Sequence, residues 1–268
     1  VATDFADDEL TQFKAHGARP LPAGGNFTEH EGARIWHAEY GAGEPVILLH
    51  GGLGNSGNWG YQVPALVDAG YLVVAIDSRG HGRSSRDGRP YSYEQMASDV
   101  FAVMDALKLA RAAIVGWSDG ACIGLAMARR APQRVTGVLF FACNVDPSGA
   151  RPFEMTPSID ACITRHRLDY ATLSATPDDF EAFFEAVGEM QRTQPNYSAD
   201  DLAGIKVPVT VLQAEHDEFI TPEHAEYLAE TIPGAELRLM SGVSHFAPLQ
   251  RPDLFNSEIL RFLKGLSR

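Results

Sequence analysis

Gly116-Trp117-Ser118-Asp119-Gly120-Ala121 sets a serine two residues from a glycine on either side. An apolar run, Ala112 to Trp117, leads into it, and an apolar helical stretch, Cys122 to Arg130, leads out. A serine on so sharp a strand-to-helix turn needs small residues at those flanking positions, because larger side chains would clash across the bend. This is the nucleophile-elbow pattern. A serine hydroxyl becomes a useful nucleophile only when a base takes its proton, and the base needs a third group to orient it. Asp217 follows the apolar run Val207 to Gln213, and His245 lies in Gly242-Val243-Ser244-His245-Phe246, just past a run ending at Met240. Serine, acid and histidine thus occur in that order, each past the C-terminal end of an expected strand. The chemistry implied is acyl transfer through a covalent serine intermediate.

Such a reaction also needs donors aimed at the oxyanion. The backbone N–H of Asp119, directly after the nucleophile, is one candidate. The second is expected from His50-Gly51-Gly52-Leu53-Gly54, with the Gly52 N–H favoured and Leu53 as the alternative. The Asp119 carboxylate has two readings. It sits favourably at a helix N-terminus, or it repels anionic acyl groups and favours neutral or amine-bearing esters. His216 and His224 flank Asp217 but are weaker candidates for the base. His50 and His81 lie in glycine-rich turns, where a structural role is expected. A His216-Asp217 metal pair lacks further ligands at suitable spacing, so neither metal nor organic cofactor is expected. Trp59, Trp117, Phe183, Phe184 and Met190 are candidates for an apolar acyl or alcohol pocket, with core packing equally open to them.

The elements that must position these residues alternate along the chain. Ala33–Tyr40, Pro45–His50, Tyr71–Asp77, Ala112–Trp117, Val135–Phe141, Val207–Gln213 and Ala235–Met240 read as strands. Most are continuously apolar, as a parallel sheet covered on both faces requires. Helices fall between them. One is announced by a Ser92-Tyr93-Glu94-Gln95 capping box, one by Thr221-Pro222, and a last one runs from Asp253 to Gly265 with Phe255, Ile259, Phe262 and Leu263 inward. The fold class expected is α/β, a mostly parallel sheet with helices on both faces. Residues 1–26 read as a polar lead-in, and residues 27–143 and 204–268 as the core. Residues 144–203 read as a helical lid or cap over the strands' C-terminal edge, with a helix starting at Thr176-Pro177.

Composition narrows the partners. The 268 residues carry 35 acidic against 22 basic side chains, a formal charge of −13. Such a surface repels nucleic-acid phosphates and anionic lipids. The longest apolar runs fall far short of the roughly 18 residues of a membrane span. The three cysteines, Cys122, Cys143 and Cys162, are too scattered for a disulfide framework and are expected in the core. The chain starts on Val1 rather than Met, so something is expected to have been removed or left out ahead of it. No charged-then-apolar leader remains, and a cytoplasmic location is expected, with a secreted or periplasmic one left open.

With the elbow, the His50-Gly51 loop, Asp217 and His245, the segment Asp77-Ser78-Arg79-Gly80-His81-Gly82-Arg83-Ser84 completes a set that resembles the α/β-hydrolase superfamily from about Phe27 to Arg268. The resemblance implies the α/β-hydrolase fold, with that last segment a structural turn behind the site. A serine where dehalogenases and epoxide hydrolases carry aspartate disfavours those two. The expectation is a carboxylic-ester hydrolase acting on small to medium esters. A lactone or enol-lactone hydrolase, a cofactor-free perhydrolase or haloperoxidase, and a ligand receptor on the same scaffold are the alternatives. With an unperturbed imidazole as base, activity should fall below about pH 6.5.

Overall fold

Helices cover both faces of one eight-stranded sheet. The computed structural model describes residues 24–266. The strands are β1 Asn26–His30, β2 Ala33–Gly41, β3 Glu44–Leu49, β4 Tyr71–Ile76, β5 Ala112–Trp117, β6 Val135–Phe141, β7 Val209–His216 and β8 Glu236–Ser244. Their order is β1-β2-β4-β3-β5-β6-β7-β8. The pairs β1/β2 and β2/β4 are antiparallel and all others parallel.

Alternate residues of the central strands feed two separate cores, as a two-residue side-chain period demands. Ile47 and Leu49 of β3 pack with Ile114 of β5 under α2 (Tyr93–Ala106) and α3 (Asp119–Arg130). Val46 and Leu48 pack on the opposite face under α1 (Gln62–Asp68) and the C-terminal helix Pro252–Leu266, through Leu66, Phe255, Ile259 and Phe262. Both faces are dry, so these strands are continuously apolar rather than alternating. Between β6 and β7 the chain carries α4 (Pro157–Leu173), α5 (Phe180–Thr193) and the short α6 (Ala199–Ala203). After β7 come α7 (Pro222–Thr231), then β8, α8 (Ala247–Gln250) and the C-terminal α9.

The seven strands expected from the apolar runs are present within a few residues. The eighth, β1, falls in a stretch that reads as polar because it is an edge strand, with β2 its one neighbour among the described residues. Of the lead-in 1–26, residues 1–23 lie outside the described residues. Three local signals behave differently from expectation. Ser92 caps α2 by accepting the Gln95 N–H, but the Gln95 amide turns to Glu31 and Arg79, at 3.1 and 3.2 Å, instead of closing the box. Thr221 makes no cap bond, its hydroxyl lying toward the Gly149 carbonyl at 3.4 Å. The helix after Thr176-Pro177 starts at Phe180, because Thr176 is held in the preceding turn by the Tyr170 hydroxyl at 3.0 Å.

The turn after β4 is a buried polar hub. Asp77 accepts the Ser56 and Arg83 N–H groups at 2.7 and 2.8 Å. The Ser84 hydroxyl donates to the Asp77 carbonyl and accepts the Trp36 N–H. Arg79 is almost wholly buried, with Asp99 oxygens at 2.6 and 2.8 Å and the His30 and Glu31 carbonyls at 3.0 and 3.1 Å. One guanidinium thereby ties α2 to the β1–β2 turn. Asp87 Oδ2 stands further off, 3.5 Å from the same guanidinium; breaking the closer buried pair costs up to about 3–5 kcal/mol. Asp99→Ala is therefore expected to lower the urea unfolding free energy by up to that amount; an unchanged midpoint would show that the pair contributes nothing.

Candidate active site

Ser118 sits between β5 and α3 with φ +54° and ψ −124°, a backbone region that a residue with a Cβ adopts only under constraint. The constraint is visible. The Ser118 N–H donates to the Phe141 carbonyl at 2.8 Å, and the Ala121 N–H closes back on the Ser118 carbonyl at 2.7 Å. A Cβ on Gly116 would collide with the Gly120 carbonyl across the bend, as the spacing argument expects. A Cβ on Gly120 would collide instead with the Leu49 carbonyl of β3. The second glycine therefore serves the approach of helix to neighbouring strand. Trp117, Asp119 and Gly120 are buried while Ser118 keeps partial exposure.

Asp217 follows β7 and His245 follows β8. The His245 Nδ1 lies 3.1 and 3.2 Å from the two Asp217 oxygens. Asp217 Oδ1 also accepts the Phe219 and Ile220 N–H groups at 2.9 and 3.0 Å, which fixes its orientation. With Nδ1 donating to the carboxylate, Nε2 is the nitrogen left for proton exchange. Burial of the imidazole pulls its pKa down, but Asp217 first, then Glu218 and Asp119, raise it, and the net direction is upward. The Trp117 ring centroid is 6.2 Å from that of His245, so the elbow and the loop after β8 meet. The rival histidines do other work. His224 Nε2 accepts the Val145 N–H at 3.0 Å, and His216 is exposed beside Glu215.

His50 sets the direction of the loop after β3. Its Nε2 accepts the Ser78 N–H at 3.0 Å, so Nδ1 carries the proton and donates to the Gly51 carbonyl at 2.8 Å. Burial holds this imidazole neutral by lowering its pKa. The Gly54 N–H binds the same carbonyl at 3.2 Å. In a planar trans peptide the Gly52 N–H points opposite to the Gly51 carbonyl, so fixing one aims the other. A Cβ on Gly51 would stand 3.2 Å from the Ser118 Cβ, which places this loop against the elbow. Among the described residues neither the Gly52 nor the Asp119 N–H has a protein acceptor; the latter is an unpaired donor of a helix first turn. Leu53 adopts φ +64° and packs partly buried against the core.

The Asp119 carboxylate is spoken for. Its Oδ1 accepts the Tyr93 hydroxyl at 2.9 Å, and the Gln191 Nε2 of α5 lies 3.1 Å from both oxygens. Burial raises its pKa, against the lowering effect of those two bonds and of His245. A carboxylate so engaged, rather than an open anion facing the pocket, is what stands beside Ser118. Sequence reasoning missed Tyr93 and Gln191, since their separation from Asp119 in the chain, 26 and 72 positions, leaves no local signal of the contact. It also missed Glu218, whose Oε2 accepts the His245 main-chain N–H at 2.9 Å.

The aromatic pocket candidates divide. Trp59 has no exposed surface and stacks on Phe255 with its edge toward Trp117, so it is core rather than pocket wall. Phe183 is likewise sealed, stacked on Tyr170 and edge-on to His81, each at 4.7 Å, and Met190 is buried in the same cluster. These two glue α5 to the body, because helical stripes find the nearest apolar surface. Trp117 is buried beside His245. Phe184 is 37% exposed. All three cysteines are buried, Cys122 and Cys143 with sulfurs 3.2 Å apart.

Residues 44–154 match the family described as alpha/beta hydrolase fold. The RutD protein of Azorhizobium caulinodans, which carries the name of a carbamate hydrolase, is 30% identical over 86% of this chain and 95% of its own length. A non-heme haloperoxidase of Rhodococcus erythropolis is 25% identical over 89% and 98%. Among solved structures, Est816, described as an N-acyl homoserine lactone degrading enzyme, is 32% identical with a TM-score of 0.69, covering 88% of this chain and 98% of that one.

An imidazole held above its ordinary value must lose its proton at higher pH before it can act as a base. The acid limb of kcat/KM for ester hydrolysis is therefore expected to have its midpoint above 6.5, the ordinary imidazole value. A profile flat from pH 5 to 8 would remove His245 from the role of base.

Proposed function

This chain belongs to the α/β hydrolase fold family, and on that premise we propose that it is a serine-dependent carboxylic-ester hydrolase acting on small to medium esters. The observation that carries this reading is Ser118 itself, held at φ +54° beside two N–H groups that have no acceptor among the described residues. Strain of this kind costs of order 1–3 kcal/mol and persists where the surroundings enforce it, most often at working sites.

In this reading the Ser118 Oγ attacks the ester carbonyl while His245 Nε2 takes its proton. Asp217 stabilises the imidazolium, and the Gly52 and Asp119 N–H groups bind the oxyanion. The imidazolium then protonates the departing alkoxide, leaving an acyl-enzyme. Water, deprotonated by His245, releases the acid and restores the serine. Residues 144–203 act as a lid whose α5 is latched to the elbow by the Gln191–Asp119 contact. The leaving alcohol lies on the imidazole side, where Phe219 packs edge-on to His245 at 4.7 Å and the 62%-exposed Phe153 stacks on Phe219.

A second reading, lactone hydrolysis, has the support of the 32% identity to the N-acyl homoserine lactone degrading enzyme. It breaks the same acyl–oxygen bond, with the alcohol tethered to the acyl group. Steady-state hydrolysis of p-nitrophenyl esters from C2 to C12 beside an N-acyl homoserine lactone separates the two. The ester reading expects turnover peaking at short acyl chains and exceeding that on the lactone. Ser118→Ala is expected to lose roughly 10⁴–10⁶ in kcat. Undiminished turnover in that variant would overturn both readings.

A further inference from the structure

Two carboxylates stand side by side at the end of β7, and the mechanism above uses one of them. The other, Glu218, is partly buried, and burial raises its pKa. Its Oε2 accepts the His245 main-chain N–H at 2.9 Å. Among the described residues no lysine or arginine neutralises it; Asp217 adds to the rise, and against it stand the His245 ring first, then that N–H bond and a main-chain bond of Glu218 itself. A carboxylate drawn out of water at this position gains a counter-charge when His245 becomes an imidazolium.

We propose that Glu218 is a positioning residue for His245, anchoring the loop after β8 through the main-chain bond and stabilising the imidazolium with its charge. The inference rests on His245 being the base. The end of β8 that leads into this loop is stitched at two further points, the Gly242 N–H to Glu215 at 2.8 Å and the Ser244 N–H to Gln250 at 2.8 Å. Those acceptors hold backbone, whereas Glu218 also faces the ring electrostatically. The other charged groups facing the imidazole are Asp217, which precedes Glu218 directly after β7, and Asp119, from the first turn of α3. Trp117, Phe219 and Phe246 supply apolar contacts around it. From α4, Cys162 lies near Glu218 as a neutral thiol, its pKa pushed up by burial. The ring therefore meets three carboxylates and no competing cation among the described residues.

Glu218→Gln keeps an oxygen to accept the N–H and removes the charge; Glu218→Asp keeps the charge at shorter reach. The expected result is an acid limb of kcat/KM displaced to lower pH in Glu218→Gln, with the alkaline plateau within about tenfold of wild type. Removing a general base would cost about 10²–10⁴. In Glu218→Asp the limb stays near its wild-type position while the plateau falls. A limb that does not move in Glu218→Gln, or one that moves equally in both variants, overturns the proposal, since a merely structural anchor predicts those patterns. Titration of the His245 ring by NMR in a Ser118→Ala background reads the same displacement without turnover. Should Ser118→Ala prove fully active, the hydrolase mechanism falls while this titration still decides the role of Glu218.

Discussion

The bend between β5 and α3 is the constraint on which the remainder of the site depends. A helix that begins one residue after a buried strand can lie close over the sheet only if its first turn has no side chain facing the neighbouring strand. Gly120 satisfies this against the Leu49 carbonyl, and Gly116 satisfies it across the bend. The residue between them is then forced to positive φ, which lifts the serine out of the buried elbow and leaves the first-turn N–H of Asp119 without an acceptor among the described residues. Strain, exposure and an unused donor are three consequences of one steric fact. The loop after β3 adds the second donor because a neutral His50, itself fixed by the Ser78 N–H, holds the Gly51 carbonyl to one side.

Around this bend the protein distributes buried charge according to whether it must stay fixed or respond. Arg79 and Asp99 form a fully paired contact, supplemented by two carbonyls, that joins α2 to the β1–β2 turn. Asp77 spends its oxygens on backbone donors from two loops. Both hubs have partners of fixed charge or polarity and set geometry. The groups around His245 differ, since its carboxylate neighbours are best compensated when the ring is protonated. A net charge of −13 over the chain is in keeping with a site that favours transient positive charge on its base.

The insertion between β6 and β7 joins the body in two chemically distinct ways. Phe183 and Met190 bury into the apolar cluster that includes Tyr91 and Tyr170, supplying the nonspecific adhesion that burial of aromatic surface provides. Gln191, one residue further along α5, turns toward the elbow and donates to Asp119, next to Gly52. Adhesion holds the helix on the body, while a directional bond fixes which of its residues meets Asp119, next to Ser118.

Seven of the eight strands, both faces of the sheet and the order of serine, aspartate and histidine are legible in the residues, because apolar periodicity and glycine spacing are local properties. Edge strand β1 escapes, since a strand with one neighbour has no need of a continuous apolar run. The box at Ser92 stays open and Thr221 makes no cap because Gln95 and Thr221 meet partners distant in the chain, while the helix after Thr176 starts late because the nearby Tyr170 hydroxyl holds Thr176 in the preceding turn. The same reason governs the site. Sequence alone determined which residue types stand at the strand ends and that the turn at Ser118 must be tight. Tertiary structure decided that Leu49 imposes Gly120, that Gln191 and Tyr93 occupy Asp119, that Glu218 holds the His245 backbone, and that Trp59 and Phe183 are core. Apart from the Phe183–Tyr170 stack, those outcomes are contacts between residues far apart in the chain, and partners at such separations are chosen by the packing of the sheet, about which a local pattern carries no information.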